Sequence, residues 1–271
     1  MRIRRPKSIL ITGASSGIGA GLAKFYADRD IVLFLGGRDT HRLEQVSSEC
    51  LKKGATVYTK VADVTDEQAM RDWVIESDKI APINLVIANA AETGAALEIN
   101  QLHETAIKAL HSNVIGVFNI IHPAIERMGL RGPTITNGQI AIMSSIMGYV
   151  GVARSPAYSY TKGTVRLYGQ ALRGALKKTG IAVNVICPGY IDTPMNRFNR
   201  SPMPFILDTK TAAKLIAKGL SKNIGRITFP WQIRIIGMIL SALPNSIVEA
   251  INIPWGRPPL KTGSEKPDVT R

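Results

Sequence analysis

Acidic residues are scarce in this chain: 20 Asp and Glu stand against 34 Lys and Arg, leaving a net charge of +14. That imbalance permits attraction to nucleic acid, anionic lipid or anionic small molecules. The cations are scattered, with mild clusters at both ends, and no recognised nucleic-acid motif accompanies them, so no nucleic-acid partner is expected. Cysteine is nearly absent. Cys50 and Cys187 cannot build a disulfide framework, and each reads as a small buried apolar residue. The four histidines, His41, His103, His111 and His122, lack zinc-site spacing, so no metal is expected. Long hydrophobic runs are missing too. The basic start Met1 to Lys7 is followed by Ile9-Leu10-Ile11, which stops at Thr12-Gly13, far short of a signal-peptide core. No stretch of roughly 18 residues is apolar enough to span a bilayer. These absences suggest a soluble, cytoplasmic protein in a reducing compartment.

What is present is alternation. Short apolar runs read as strands at Ser8 to Ile11, Ile31 to Leu35, Thr56 to Val61, Leu85 to Asn89, Gln139 to Met143, Ala182 to Cys187 and Gly225 to Phe229. Between them, helical periodicity covers Ile18 to Asp28, Arg42 to Lys53, Glu67 to Ile80, His103 to Arg127, Tyr158 to Lys178 and Thr209 to Lys222. Repeated βα units predict an α/β fold: a single-domain, Rossmann-type, doubly wound parallel sheet with helices on both faces. Its 271 residues allow a substantial core. The expected division is residues 1–230 for this domain and 231–271 for a C-terminal extension. Gln232 to Leu243 is strongly apolar, and Pro254 to Arg271 is rich in Pro, Lys and Arg and is expected to be disordered.

The first strand runs into Thr12-Gly13-Ala14-Ser15-Ser16-Gly17-Ile18-Gly19. Gly13, Gly17 and Gly19 permit a tight turn and close backbone approach. The following helix start offers free N–H groups to a pyrophosphate. This loop, TGASSGIG, resembles that of the short-chain dehydrogenase/reductase family along its whole length. The resemblance implies a nicotinamide cofactor held by Gly13, Ser15, Ser16, Gly17, Ile18 and Gly19. At the end of the second strand, Gly37 stands where related NAD users carry an acid, and Arg38 follows. A guanidinium suits a 2′-phosphate, so NADP(H) is preferred, with NAD(H) possible. Asp39 is a second candidate, an acid displaced by one position. The resemblance also implies adenine contacts at Asp63 and Val64 and an adenosine wall at Asn89 and Ala90. Ala91 departs from the family's usual Gly and suggests a more constrained backbone there.

Tyr158 and Lys162 lie four residues apart at a predicted helix start and share one face. A phenol has a pKa of about 10, and a nearby ammonium, helped by the cationic oxidised nicotinamide, is expected to lower it. Tyr160 lacks such a partner, because position 164 is Thr. The resemblance makes Tyr158 the proton-transferring residue and Ser145 the group that bonds the substrate oxygen, with Ser144 the adjacent alternative. It makes Lys162 and Asn113 the rest of a proton relay, Asn113 holding a water through its backbone carbonyl. It places Pro188, Gly189, Ile191 and Thr193 beside the nicotinamide.

Together these readings imply an NADP(H)-dependent oxidoreductase that moves hydride between the nicotinamide and a carbonyl or secondary alcohol, chiefly as a ketoreductase. The alternative is a non-catalytic NADP-binding regulatory or membrane-surface protein on the same fold. The substrate segment is expected between Tyr190 and Asp208, where Met195, Phe198, Met203, Phe205 and Ile206 mix with Arg197 and Arg200. The resemblance further implies a homodimer or homotetramer through the helices at His103 to Arg127 and Tyr158 to Lys178. The stretch Trp231 to Trp255 is read either as an interfacial helix on anionic lipid or as a packing surface for a sister subunit.

Overall fold

The computed structural model describes residues 5–94, 98–132, 138–153, 155–196 and 203–252. The expectations for Arg197, Phe198, Arg200, Trp255 and the stretch Pro254 to Arg271 fall outside them. Seven strands form one parallel sheet: β1 (Ser8–Thr12), β2 (Val32–Gly37), β3 (Thr56–Val61), β4 (Leu85–Ala88), β5 (Gly138–Met143), β6 (Ile181–Pro188) and β7 (Arg226–Phe229). Their spatial order is β3-β2-β1-β4-β5-β6-β7. The chain therefore builds outward from β1 in one direction, then returns to place β4 on the other side. That reversal opens a crevice above the carboxyl ends of β1 and β4, where parallel sheets take ligands.

Burial explains the sheet. Every residue of β1 and β4 is buried, as central parallel strands covered on both faces must be. Helices α1 (Gly17–Tyr26), α2 (Thr40–Leu51) and α7 (Thr209–Ser221) cover one face, sharing a core with Leu22, Leu43 and Ile216. Helices α3 (Glu67–Ile80), α5 (Gly116–Gly129) and α6 (Pro156–Ala175) cover the other, around Trp73, Ile120 and Val165. Both cysteines are buried within this framework. The N-termini of α2, α3 and α7 are capped by Asp39, Asp66 and Asp208, each accepting a backbone N–H.

One element departs from its sequence reading. The continuous helix expected over His103 to Arg127 is three pieces: α4 (Leu102–Leu110), a π-turn at His111–Ile115, and α5. The extra residue in the wider turn carries Asn113 into the interior, where it is fully buried. Beyond β7 come α8 (Trp231–Ala242) and α9 (Asn245–Asn252). No helix among the described residues is long and apolar enough to cross a membrane.

Candidate active site

The crevice is a cleft of about 500 Å³. Of the catalytic and cofactor residues singled out from sequence, all line it except Gly19 and Asn113; of the expected substrate segment, Tyr190 and Met195 line it and Met203, Phe205 and Ile206 do not. Gly19 lies beneath the loop. A Cβ there would sit 2.2 Å from the Gly13 carbonyl oxygen, so only glycine allows α1 to approach so closely. Gly13 has φ +64°, and a Cβ on it would meet Ala90 Cα at 2.9 Å. Asn89 sews the loop to the end of β4: its Nδ2 donates to the carbonyls of Thr12 at 3.0 Å and Gly13 at 3.2 Å. Thr12 Oγ1 in turn accepts the N–H groups of Asn89 and Ala90. Unlike the other helices covering that face, α1 has no side-chain cap. Its N–H groups are left to face the cleft, as a pyrophosphate requires.

The adenosine end contains a group that the sequence reading missed. Arg38 Nη1 lies 2.9 Å from Glu92 Oε1 and 3.5 Å from Asp63 Oδ2. Glu92 also faces Lys108 at 3.7 Å. Its only sequence signal is a charge just past the end of β4. Burial alone would raise the Asp63 carboxyl, but hydrogen bonds from Thr65 and the Arg38 guanidinium hold it below the ordinary range. Asp39, the displaced-acid candidate, is already committed: it accepts the Arg42 N–H at 2.9 Å and pairs with Arg42 Nε at 2.6 Å. A Cβ on Gly37 would come within 3.2 Å of Ser15, so this position has little room for an acid.

At the other end, β5 delivers Ser144 and Ser145. Ser144 donates to the Lys162 carbonyl at 2.7 Å and so anchors α6. Ser145 accepts from Met147 N at 3.2 Å and hydrogen-bonds Tyr158. Lys162, almost fully buried, donates to the Met143 carbonyl at 2.8 Å and lies 5.5 Å from the Tyr158 ring centre. Within the protein alone, burial acts on the phenol in the other direction. Burial pushes Tyr158 up to about 12, against the pull of its Ser145 bond. Burial likewise pushes the Lys162 ammonium down to about 8. Asn113 acts as a clamp. Its Oδ1 accepts from Glu92 N at 2.7 Å, and its Nδ2 donates to the Glu92 carbonyl at 2.9 Å and to Thr161 Oγ1 at 3.1 Å. One buried amide thus ties the adenosine-side loop to the helix that carries Tyr158. Thr161, unremarked in the sequence, completes that tie.

A charged amine held in a dry site costs stability. Lys162 binds its proton less tightly when folded (about 8) than at its ordinary 10.5, so unfolding takes up protons between those values and stability rises with pH there. Between about pH 7 and about pH 9.5 the wild type should gain about 2 kcal/mol relative to Lys162→Met. Denaturant unfolding of both proteins at the two pH values measures this; a constant difference between them removes the buried charge from the account.

The comparisons with known proteins decide the family. The family model described as short chain dehydrogenase matches residues 7–204. The chain is a short-chain dehydrogenase. An oxidoreductase of Myxococcus xanthus whose role is uncharacterised is 31% identical over 245 residues, covering 90% of this chain and 95% of that protein. Among solved structures, a short-chain dehydrogenase from Sphingobium yanoikuyae in complex with NADPH matches with a TM-score of 0.74 at 23% identity, over 88% of this chain and 97% of that one. Actinorhodin polyketide ketoreductase with NADPH matches with a TM-score of 0.71 at 23% identity, over 84% and 97%. This dehydrogenase is accordingly an NAD(P)-dependent oxidoreductase acting on carbonyl or alcohol groups. Its seven-stranded sheet is the family's Rossmann-like fold.

Proposed function

We propose that this dehydrogenase is an NADP(H)-dependent ketoreductase. The observation that carries the cofactor choice is at the end of β2: Arg38 faces the cleft, Gly37 beside it offers no carboxylate, and Asp39 is occupied as a helix cap. Gly13, Ser15, Ser16, Gly17 and Ile18 would hold the phosphates, Asp63, Val64, Asn89 and Ala90 the adenosine, and Pro188, Gly189, Ile191 and Thr193 the nicotinamide, which supplies the hydride when bound. Ser145 orients and polarises the substrate oxygen. Tyr158 hands that oxygen a proton. Burial keeps the phenol protonated at neutral pH, which is the form that reduction consumes. Lys162 and Asn113 restore the proton and hold the geometry. A panel of ketones assayed with NADPH and NADH side by side tests the reading. NADPH should be favoured by about tenfold or more in kcat/KM; an NADH preference overturns it.

For the assembly, we propose pairing of subunits along the outer faces of α5 and α6. Phe118, His122 and Tyr168 form a half-buried aromatic layer there, with Leu167 exposed beside it. Leu167→Glu should shift sedimentation toward the monomer, and an unchanged mass removes this face as the interface.

A further inference from the structure

Helix α8 hides only Ile233 and Gly237, and where these two rest is informative. A Cβ on Gly237 would meet Ile146 Cδ1 at 2.4 Å, and a Cβ on Gly189 would meet Ile233 Cγ1 at 3.2 Å. Ile146 and Gly189 both line the cleft, so α8 is packed directly behind the wall of its substrate end. The rest of α8 is turned outward and is apolar: Trp231, Ile235, Ile236, Met238 and Ile239 are all exposed, Trp231 by 67% and Ile239 by 55%. Phe205 and Ile206, in the segment expected to meet substrate, are exposed as well. A water-facing surface of this kind marks an interaction site.

Charge says what covers it. From Thr209 to Val248 the chain carries Lys210, Lys214, Lys218, Lys222, Arg226 and Arg234 and no Asp or Glu. None of the six makes an ion pair among the described residues. Lys210 opens α7 at the same carboxyl edge of the parallel sheet as the start of α8; Lys214 and Lys218 follow it down the exposed face of α7, and Lys222 and Arg226 lie toward the other edge. A second copy of this chain, docked face to face, would bring two basic faces together with no acid from Thr209 to Val248 to offset them. An anionic bilayer offers the opposite charge together with an apolar interior. Twelve residues are too few to span it but suit a helix lying in its interface.

We propose that the outer face of α8 rests on an anionic lipid surface and that the cleft takes its substrate, an apolar carbonyl compound dissolved in that lipid, from there. The lipid surface stands on the geometry and charge of α8; the substrate class rests on the ketoreductase reading above. Flotation of the full-length protein with vesicles of phosphatidylcholine and phosphatidylglycerol, against phosphatidylcholine alone, tests the first part. The mixed vesicles should carry the wild type, and Ile235→Glu/Ile239→Glu should reduce partition by about a hundredfold. Lys210→Glu/Lys214→Glu should weaken it in a salt-dependent way. All these positions are exposed, and thermal melts of the variants report that they fold. Equal flotation of wild type and the Ile235→Glu/Ile239→Glu variant overturns the proposal. So does a wild type that stays with the buffer, or a drop in the variant's sedimenting mass without vesicles, which would make the face a subunit contact. For the second part, the same variant should lose about tenfold or more in kcat/KM for a long-chain ketone supplied in vesicles while keeping its rate on a small water-soluble ketone. Flotation without turnover of any ketone upholds the lipid surface and overturns the substrate class.

Discussion

Tyr158→Phe should reduce kcat by about 10³-fold or more while leaving NADPH affinity within about twofold. The phenyl ring keeps the packing of α6 against the cleft and removes only the hydroxyl. What disappears is the single proton donor that β5 and α6 bring against Ser145. General acid catalysis contributes about 10²–10⁴-fold, so an effect in this range is expected. With its phenol pushed up to about 12 by burial, Tyr158 is protonated across neutral pH, so the variant should lose reduction throughout that range, with no rescue at high pH. Retention of more than about a tenth of wild-type activity would falsify the assignment of Tyr158 as the acid.

The second large effect concerns Arg38. Arg38→Ala should weaken NADPH by about 10–100-fold and change NADH by little, because a charge-assisted contact to a phosphate contributes roughly 1.5–3 kcal/mol. Arg38 is not idle beforehand. It pairs with Glu92 and Asp63, and its own side chain is 61% exposed. Exposed ion pairs contribute about 0–1 kcal/mol, so the guanidinium can be drawn from them at small cost. Glu92 then acts as a mild competitor, and Glu92→Gln should tighten NADPH several-fold without altering NADH. Its backbone, held by Asn113, is untouched by that change. Titration of both cofactors against the two variants measures the prediction. Equal losses for NADPH and NADH in Arg38→Ala would instead mean that Arg38 merely braces the loop.

The fold was legible because its signals are local. The ranges read for β3 and α3 coincide with those observed, since Asp66 caps α3 and the apolar periodicity ends at Ile80. The glycines of the phosphate loop were legible for the same reason: each answers a backbone demand at its own position. The π-turn was not legible. It exists because Asn113 reaches the backbone of Glu92, 21 residues away in sequence, and no periodicity records such a clamp. Glu92 went unnoticed because an isolated acid after a strand is an ordinary loop residue until Arg38 is seen to reach it. The spacing of Tyr158 and Lys162 correctly placed them together, but burial sets the direction in which each is shifted, and burial depends on what packs over them rather than on spacing. The apolar stretch after Phe229 was visible as composition; that it forms α8 against the cleft wall was not, because Ile146 and Gly189 are brought to it only by the sheet order.

The central claim is a hydride passed to a carbonyl carbon with Tyr158 giving the proton. Turnover of a ketone with NADPH deuterated at the transferable position, followed by mass spectrometry of the alcohol, tests it most directly. The account predicts one deuterium on the carbinol carbon of the wild-type product and no product above background from Tyr158→Phe. An alcohol lacking deuterium, or labelled alcohol formed equally well by Tyr158→Phe, would contradict it.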